Sequence, residues 1–181
     1  MRIGFIGAGK VGVTFGKYIT TKMAVSKAEK SQLEVSGYYS AHSESAADAA
    51  EFTETVMYNS LEKLCSESEV IFLTVPDGQI GEVWRKIRGL DIRGRIICHA
   101  SGAMTSDIFS GITEAGAFGY SIHPMYAISS KYESFKELDN SFFTVEGDDR
   151  YADSICSVIE SLGNRCVKIS GKDQVKYHGA A

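Results

Sequence analysis

Residues 2–12 read Arg2-Ile3-Gly4-Phe5-Ile6-Gly7-Ala8-Gly9-Lys10-Val11-Gly12, an apolar strand-forming run followed at once by a GxGxxG turn. The apolar residues that come next, Val11, Phe15, Tyr18, Ile19 and Met23, fall at helical spacing and predict an amphipathic helix over 10–24. In that context each glycine has a task. Gly7 permits a tight turn out of the strand, Gly9 lets a ligand approach the backbone, and Gly12 lets helix and strand pack closely. The helix N-terminus adds free amides and positive potential, which suits a pyrophosphate. Gly7, Ala8, Gly9, Lys10, Val11 and Gly12 therefore read as a dinucleotide-binding turn.

Outward from this turn the same alternation continues. Strand patterns at 33–39, 56–58, 69–75, 95–100 and 118–122 are separated by helix patterns at 43–50, 60–65, 77–87 and 105–115, with a polar loop at 26–31. Asn59 or Ser60 is placed to cap the third helix, and the almost wholly apolar run at 69–75 has the character of a strand buried on both faces. A further strand, helix and strand follow at 141–146, 150–162 and 165–169. The expectation is an α/β Rossmann fold: a doubly wound, mainly parallel sheet of about eight strands with helices on both faces. Residues 173–181 again read as helix, so a dinucleotide-binding domain over 1–172 is expected to lead into a linking helix.

The choice of cofactor is made after the second strand, where an acidic residue would accept the ribose hydroxyls of NAD. Here Tyr39 is followed by Ser40, Ala41, His42 and Ser43, and the first acid, Glu44, lies inside the next helix. Ser40, His42 and Ser43 are thus candidate cofactor ligands, and NADP is favoured over NAD, although no arginine is present to clamp a ribose phosphate. Val75 and Pro76, at the end of the fourth strand pattern, are expected beside the inner ribose and nicotinamide, with Asp77 capping the next helix.

Two polar clusters, His99-Ala100-Ser101-Gly102 and Ser121-Ile122-His123-Pro124, end the following strands and project to the same carboxyl edge. Ser101 and His123 are candidate catalytic residues, suited to binding a carbonyl or carboxylate or passing a proton. Lys176, on the predicted linking helix, is a third candidate. Ser101 lacks the GxSxG setting of a hydrolase nucleophile.

Composition narrows the class. The 181 residues carry a net charge of -4, with 44% hydrophobic and 23% charged residues, which fits one folded domain and offers no basic stripe for nucleic acid. Cys65, Cys98, Cys156 and Cys166 have no CxxC or histidine partner at zinc spacing, so they read as buried thiols of a reducing cytosol and no metal is expected. No signal sequence and no membrane-spanning run is visible, so a cytoplasmic protein acting on a small molecule, without a membrane or nucleic-acid partner, is expected.

Five blocks, GFIGAGKVG, VIFLTVPDGQI, HASGA, SIHPMYA and KYHGAA, occur in an order that resembles Rossmann-like proteins carrying a helical C-terminal domain of unknown function. These are similar to deazaflavin-dependent NADP oxidoreductases, pyrroline-5-carboxylate reductase and the 6-phosphogluconate dehydrogenase superfamily. The resemblance implies an NADP-linked reductase that acts as a homodimer when full length, its site completed by the helical domain. In the related hydroxyacid dehydrogenases a lysine on the linking helix precedes an asparagine by four residues; Lys176 matches the lysine, whereas Ala180 occupies the asparagine position. Hydride transfer between NADPH and a small carbonyl or imine is the expected activity, and a non-catalytic dinucleotide-binding or sensor module is the alternative.

Overall fold

Strand β1 (Arg2–Ile6) is buried at every residue but Arg2, with Ile3 and Phe5 on one face and Gly4 and Ile6 on the other, as the two-residue period of a strand requires. The structure, a computed structural model, describes residues 1–25 and 33–171. Around β1 lies one seven-stranded sheet in the order β2-β1-β3-β4-β5-β6-β7, with β2 at Glu34–Tyr39, β3 at Val70–Leu73, β4 at Ile96–His99, β5 at Phe118–Pro124, β6 at Phe142–Gly147 and β7 at Arg165–Lys168. Strands β2, β1, β3, β4 and β5 are parallel neighbours.

Each sheet face receives its own helices. α1 (Lys10–Val25), α2 (Ser43–Thr53) and α5 (Asp149–Ser161) bury Val13, Phe15, Tyr18, Ala49 and Ile155 in the cluster that also holds Ile3, Phe5 and Phe72. α3 (Leu61–Glu67) and α4 (Asp77–Ile87) cover the opposite face, where Leu64, Ile80, Trp84 and Ile87 meet Ile6, Ile71 and Ile97. Ile80, Trp84 and Ile87 repeat at the spacing of one helical face, and the Trp84 indole N–H donates to the Ser110 carbonyl at 2.9 Å. Ser60 caps α3 by accepting from the Lys63 amide at 3.2 Å.

Two predicted elements differ. The strand expected at 56–58 is a single parallel bridge from Met57 to Tyr38, so the sheet has seven strands instead of eight. The segment has few residues between α2 and α3 in which to extend, and although Tyr58 is buried, Val56 is 55% exposed, so only the Met57 position pairs. The helix expected over 105–115 is a short 3₁₀ turn, Ser106–Ile108, followed by further turns, because Gly111 adopts φ +76° and interrupts a helical course. The loop expected at 26–31 and the helix expected at 173–181 lie outside the described residues.

The last strand, helix and strand form the anticipated βαβ unit, with β6 and β7 parallel, but β6 joins β5 in antiparallel register, His123 opposite Thr144. Cys156 on α5 and Cys166 on β7 form a disulfide, which corrects the reading of four separate thiols; only Cys65 and Cys98 are free among the described residues. Helix α5 packs back over β7 and brings the two Cα atoms to 5.3 Å, a proximity that their sequence separation of 10 does not announce.

Tyr18 ties α1 to this unit. Its hydroxyl lies 2.6 Å from Asp139 Oδ1, 2.7 Å from Asn164 Oδ1 and 3.1 Å from the Leu162 carbonyl, while Asn164 Nδ2 donates to the Leu138 and Ser141 carbonyls. Burial and the Asp139 carboxylate push the Tyr18 phenol far up, and Lys22, 2.5 Å from Asp139, together with Tyr18 holds that carboxyl below its usual range. Tyr18→Phe leaves three acceptors short of one donor, and a loss of about 1–3 kcal/mol is expected in urea unfolding. An unchanged midpoint would show that this bond is not what holds the unit in place.

Candidate functional site

The turn after β1 is held on two sides by backbone. The Gly7 amide donates to the Tyr39 carbonyl at 2.8 Å, the Thr74 amide to Ile6 at 2.8 Å, and the Thr74 hydroxyl to the Gly7 carbonyl at 2.8 Å. Gly7 sits at φ +113°, and a Cβ there would lie 2.6 Å from the Thr74 carbonyl oxygen. At Gly12, on the first turn of α1, a Cβ would lie 2.5 Å from the Gly7 carbonyl oxygen. Gly9 differs from both, because a Cβ built on it meets nothing within 4 Å. The fold requires Gly7 and Gly12 and makes no such demand at Gly9.

A cleft of about 490 Å³ opens beside this turn, between the carboxyl ends of β1, β2 and β3, where the sheet order reverses direction. Gly7, Ala8, Gly9, Ser40, His42, Val75 and Pro76 line it, as the sequence led one to expect. Lys10, Val11, Gly12 and Ser43 do not line it: Lys10 and Ser43 are exposed first residues of α1 and α2, and Gly12 is turned into the packing against Gly7 and Thr74. Ser40 Oγ accepts from the His42 amide at 3.2 Å, and His42 occupies the cap position of α2 without a side-chain cap bond.

Sequence reasoning missed several lining residues, among them Tyr39, Ser45, Leu61, Thr74 and one face of α4. That face comprises Gln79, Glu82, Val83 and Lys86, and their spacing of three, four and seven residues was a usable signal. Lys86 and Glu82 pair at 2.8 Å on this wall, and each shifts the other's ionisation toward the charged form.

Pro76 leads from the cleft directly to a second polar group at the same sheet edge. Asp77 is the first residue of α4, whose cap position Pro76 takes, so Asp77 does not cap the helix as expected. Its carboxylate instead accepts the Ser101 hydroxyl proton at 2.8 Å, across from β3 to β4. Ser101 Oγ accepts from the Ala103 amide, and the Ser101 amide donates to His99 Nδ1, each at 3.2 Å. His123 Nδ1 donates to the Ala100 carbonyl at 2.9 Å, so Ser101 and His123 come together at the edge. Lys176 lies outside the described residues.

His99 is fully buried beneath this group, and its tautomer follows from its neighbours. Nδ1 receives a backbone N–H, so the proton sits on Nε2 and is donated to the Thr105 carbonyl at 3.2 Å. Burial lowers its pKa from the ordinary 6.5, keeping the ring neutral. Glu146 of β6 also faces this region and accepts from the Ser106 amide and hydroxyl at 2.7 and 3.0 Å, which anchors the 3₁₀ turn.

Two outcomes test these assignments. Gly12→Ala is expected to destabilise by about 1–3 kcal/mol and Gly9→Ala by no more than about 0.5 kcal/mol, measured by urea unfolding; equal effects would refute the distinction between them. An unfolded chain protonates His99 near 6.5, whereas the folded chain does so only at lower pH, so this group removes stability as the pH falls below about 6.5. His99→Asn should flatten that acid limb of the stability profile, and an unaltered limb would assign it to other groups.

Among the described residues no helix is long and apolar enough to cross a membrane, and no group of three or more His, Cys, Asp or Glu is arranged to hold a metal ion. No curated protein matches the chain significantly in sequence. Solved structures share its fold. A Bacteroides fragilis protein described as a candidate NADP oxidoreductase is 18% identical over 99% of the chain, with a TM-score of 0.78. A Thermotoga maritima protein is 25% identical over 98%, at 0.70, and an imine reductase from Streptomyces aurantiacus is 14% identical over 99%, at 0.73. The chain spans 64%, 61% and 60% of the lengths of these three proteins. The Rossmann-like domain family matches residues 1–124, in agreement with the strand order and the glycine turn, and the chain belongs to that family.

Proposed function

We propose that this chain is the NADP(H)-binding domain of an oxidoreductase that moves a hydride between NADPH and a small carbonyl or imine. The observation that carries the reading is the contrast among the motif glycines. Gly7 and Gly12 are demanded by close backbone contacts, whereas Gly9 has open space that the fold itself does not use. A ligand that must touch the backbone at the head of α1 accounts for that space, and a pyrophosphate suits the amides and positive potential there.

The remaining residues fit the rest of a dinucleotide. The end of β2 presents Ser40 and His42 and no carboxylate, with Ser45 in the same cleft and Lys86 paired to Glu82 on its α4 wall, and the lack of an acid at the end of β2 supports NADP over NAD. Val75 and Pro76 lead toward the edge where Ser101 and His123 would meet the substrate. When bound, the nicotinamide supplies the hydride; the chain's own groups hold the dinucleotide at the turn and orient it along the carboxyl edge. Relatives described as an NADP oxidoreductase and an imine reductase share this fold, which is consistent with the reaction class.

Fluorescence titration of the full-length protein with NADPH is expected to saturate, at lower concentration than with NADH. Gly9→Val should abolish binding of both while leaving the unfolding midpoint in place. His42→Asp should move the preference toward NADH by at least about tenfold, since a carboxylate repels a ribose phosphate. Absence of saturable binding overturns the dinucleotide reading, and equal affinity for both cofactors overturns the preference for NADP.

A further inference from the structure

The exposed stripe of α4 forms one wall of the cleft, and its charges sit far from the glycine turn. Pro76, at the head of the helix, lines the cleft together with Gly7, whereas Lys86 lies in the last turn of α4. At a rise of about 1.5 Å per residue, the nine residues from Asp77 to Lys86 span about 14 Å, too far for Lys86 to share a pyrophosphate held at the head of α1. Lys86 instead shares the cleft with Ser40, Ala41, His42 and Ser45, the residues that follow β2. The Lys86 ammonium, held charged chiefly by Glu82, also feels the Tyr39 phenol at the end of that strand. Among the described residues that line the cleft, Lys86 is the one lysine or arginine.

Its pairing with Glu82 does not commit Lys86. The two side chains are 59% and 56% exposed, and an exposed pair one helical turn apart is held weakly because water screens it. A phosphate monoester brings nearly two negative charges and three strong acceptor oxygens, so it competes well for the ammonium against one screened carboxylate. Resting on the reading of this cleft as an NADP(H) site, we propose that Lys86 leaves Glu82 to bind the ribose phosphate of the dinucleotide, the clamp that no arginine provides after β2. Its flexible four-carbon stem and three donors suit an exchange of partners, with no bond made or broken. Glu82 has the converse part: it occupies Lys86 when no phosphate is bound and repels the phosphate that displaces it, so it tempers the affinity that Lys86 confers.

The test titrates the full-length protein, by calorimetry, with NADPH and NADH and with adenosine 2′,5′-bisphosphate and adenosine 5′-monophosphate, a second pair that isolates the ribose phosphate from the nicotinamide. The wild type is expected to favour the phosphate-bearing member of each pair. Lys86→Met, which keeps a flexible stem and removes the charge, should cut that preference at least about tenfold in both pairs, the scale of a charge-assisted hydrogen bond, and Lys86→Arg should retain it. Glu82→Gln should tighten NADPH by about two- to fivefold, and NADH by less. Added salt should erode the preference of the wild type more steeply than that of Lys86→Met, which a packing role for this side chain would not produce. A Lys86→Met protein with the wild-type preference, equal losses for both members of each pair, a Lys86→Arg protein without the preference, or weaker NADPH binding by Glu82→Gln overturns the assignment. The wild-type titration separates the failures. If neither cofactor binds, the functional reading falls and the assignment with it; if NADPH is preferred and Lys86→Met keeps that preference, only the assignment to Lys86 falls.

Discussion

The close contact between Gly7 and Thr74 is the constraint on which the working edge of this domain depends. No side chain separates the turn after β1 from the end of β3; a Cβ at Gly7 would stand 2.6 Å from the Thr74 carbonyl oxygen. Because the two segments touch through backbone, the Thr74 hydroxyl can reach the Gly7 carbonyl, and the head of α1 is drawn in at Gly12. The same contact sets where β3 ends, and therefore where Val75, Pro76 and Asp77 emerge beside the cleft. Interiors packed at crystal-like density transmit such a fixed distance to their neighbours without slack.

Beyond that contact, the edge is organised by hydrogen-bond accounting. His99 is buried and both of its ring nitrogens are satisfied by backbone groups, which makes it a strut for the Ser101 turn. The Ser101 hydroxyl donates across to Asp77 at the head of α4. His123 is held from the neighbouring strand by Ala100, and β5 is in turn backed by the antiparallel β6. The C-terminal βαβ unit thus supports the candidate substrate side, and it is fastened to α1 by the Tyr18, Asp139 and Asn164 group and internally by Cys156–Cys166. The Tyr18 bonds join segments more than 100 residues apart, with Tyr18 and Asp139 at a separation of 121.

By itself the sequence determined the elements whose signals are local. The strand, glycine turn and helix at the N-terminus, the both-face burial of 70–73, a cap at Asn59 or Ser60 and a helix through Ile87 all follow from neighbouring residues, and the structure contains each, with Ser60 as the cap. The roster of groups at the carboxyl edge was legible for the same reason, since strand ends in a parallel sheet share one edge. Where a local pattern was ambiguous, tertiary context decided it. Val56 to Tyr58 has strand-forming residues but lies in a short connection with Val56 exposed and forms one bridge, and 105–115 has helical spacing that Gly111 interrupts. The pairing of Cys156 with Cys166, the meeting of Asp77 with Ser101, the antiparallel entry of β6 beside β5 and the tie from Tyr18 to the C-terminal unit were decided only by the folded chain. Each depends on separation across the folded chain, whether the partners lie 10 or 121 residues apart along it, and a residue pattern carries only spacing along the chain.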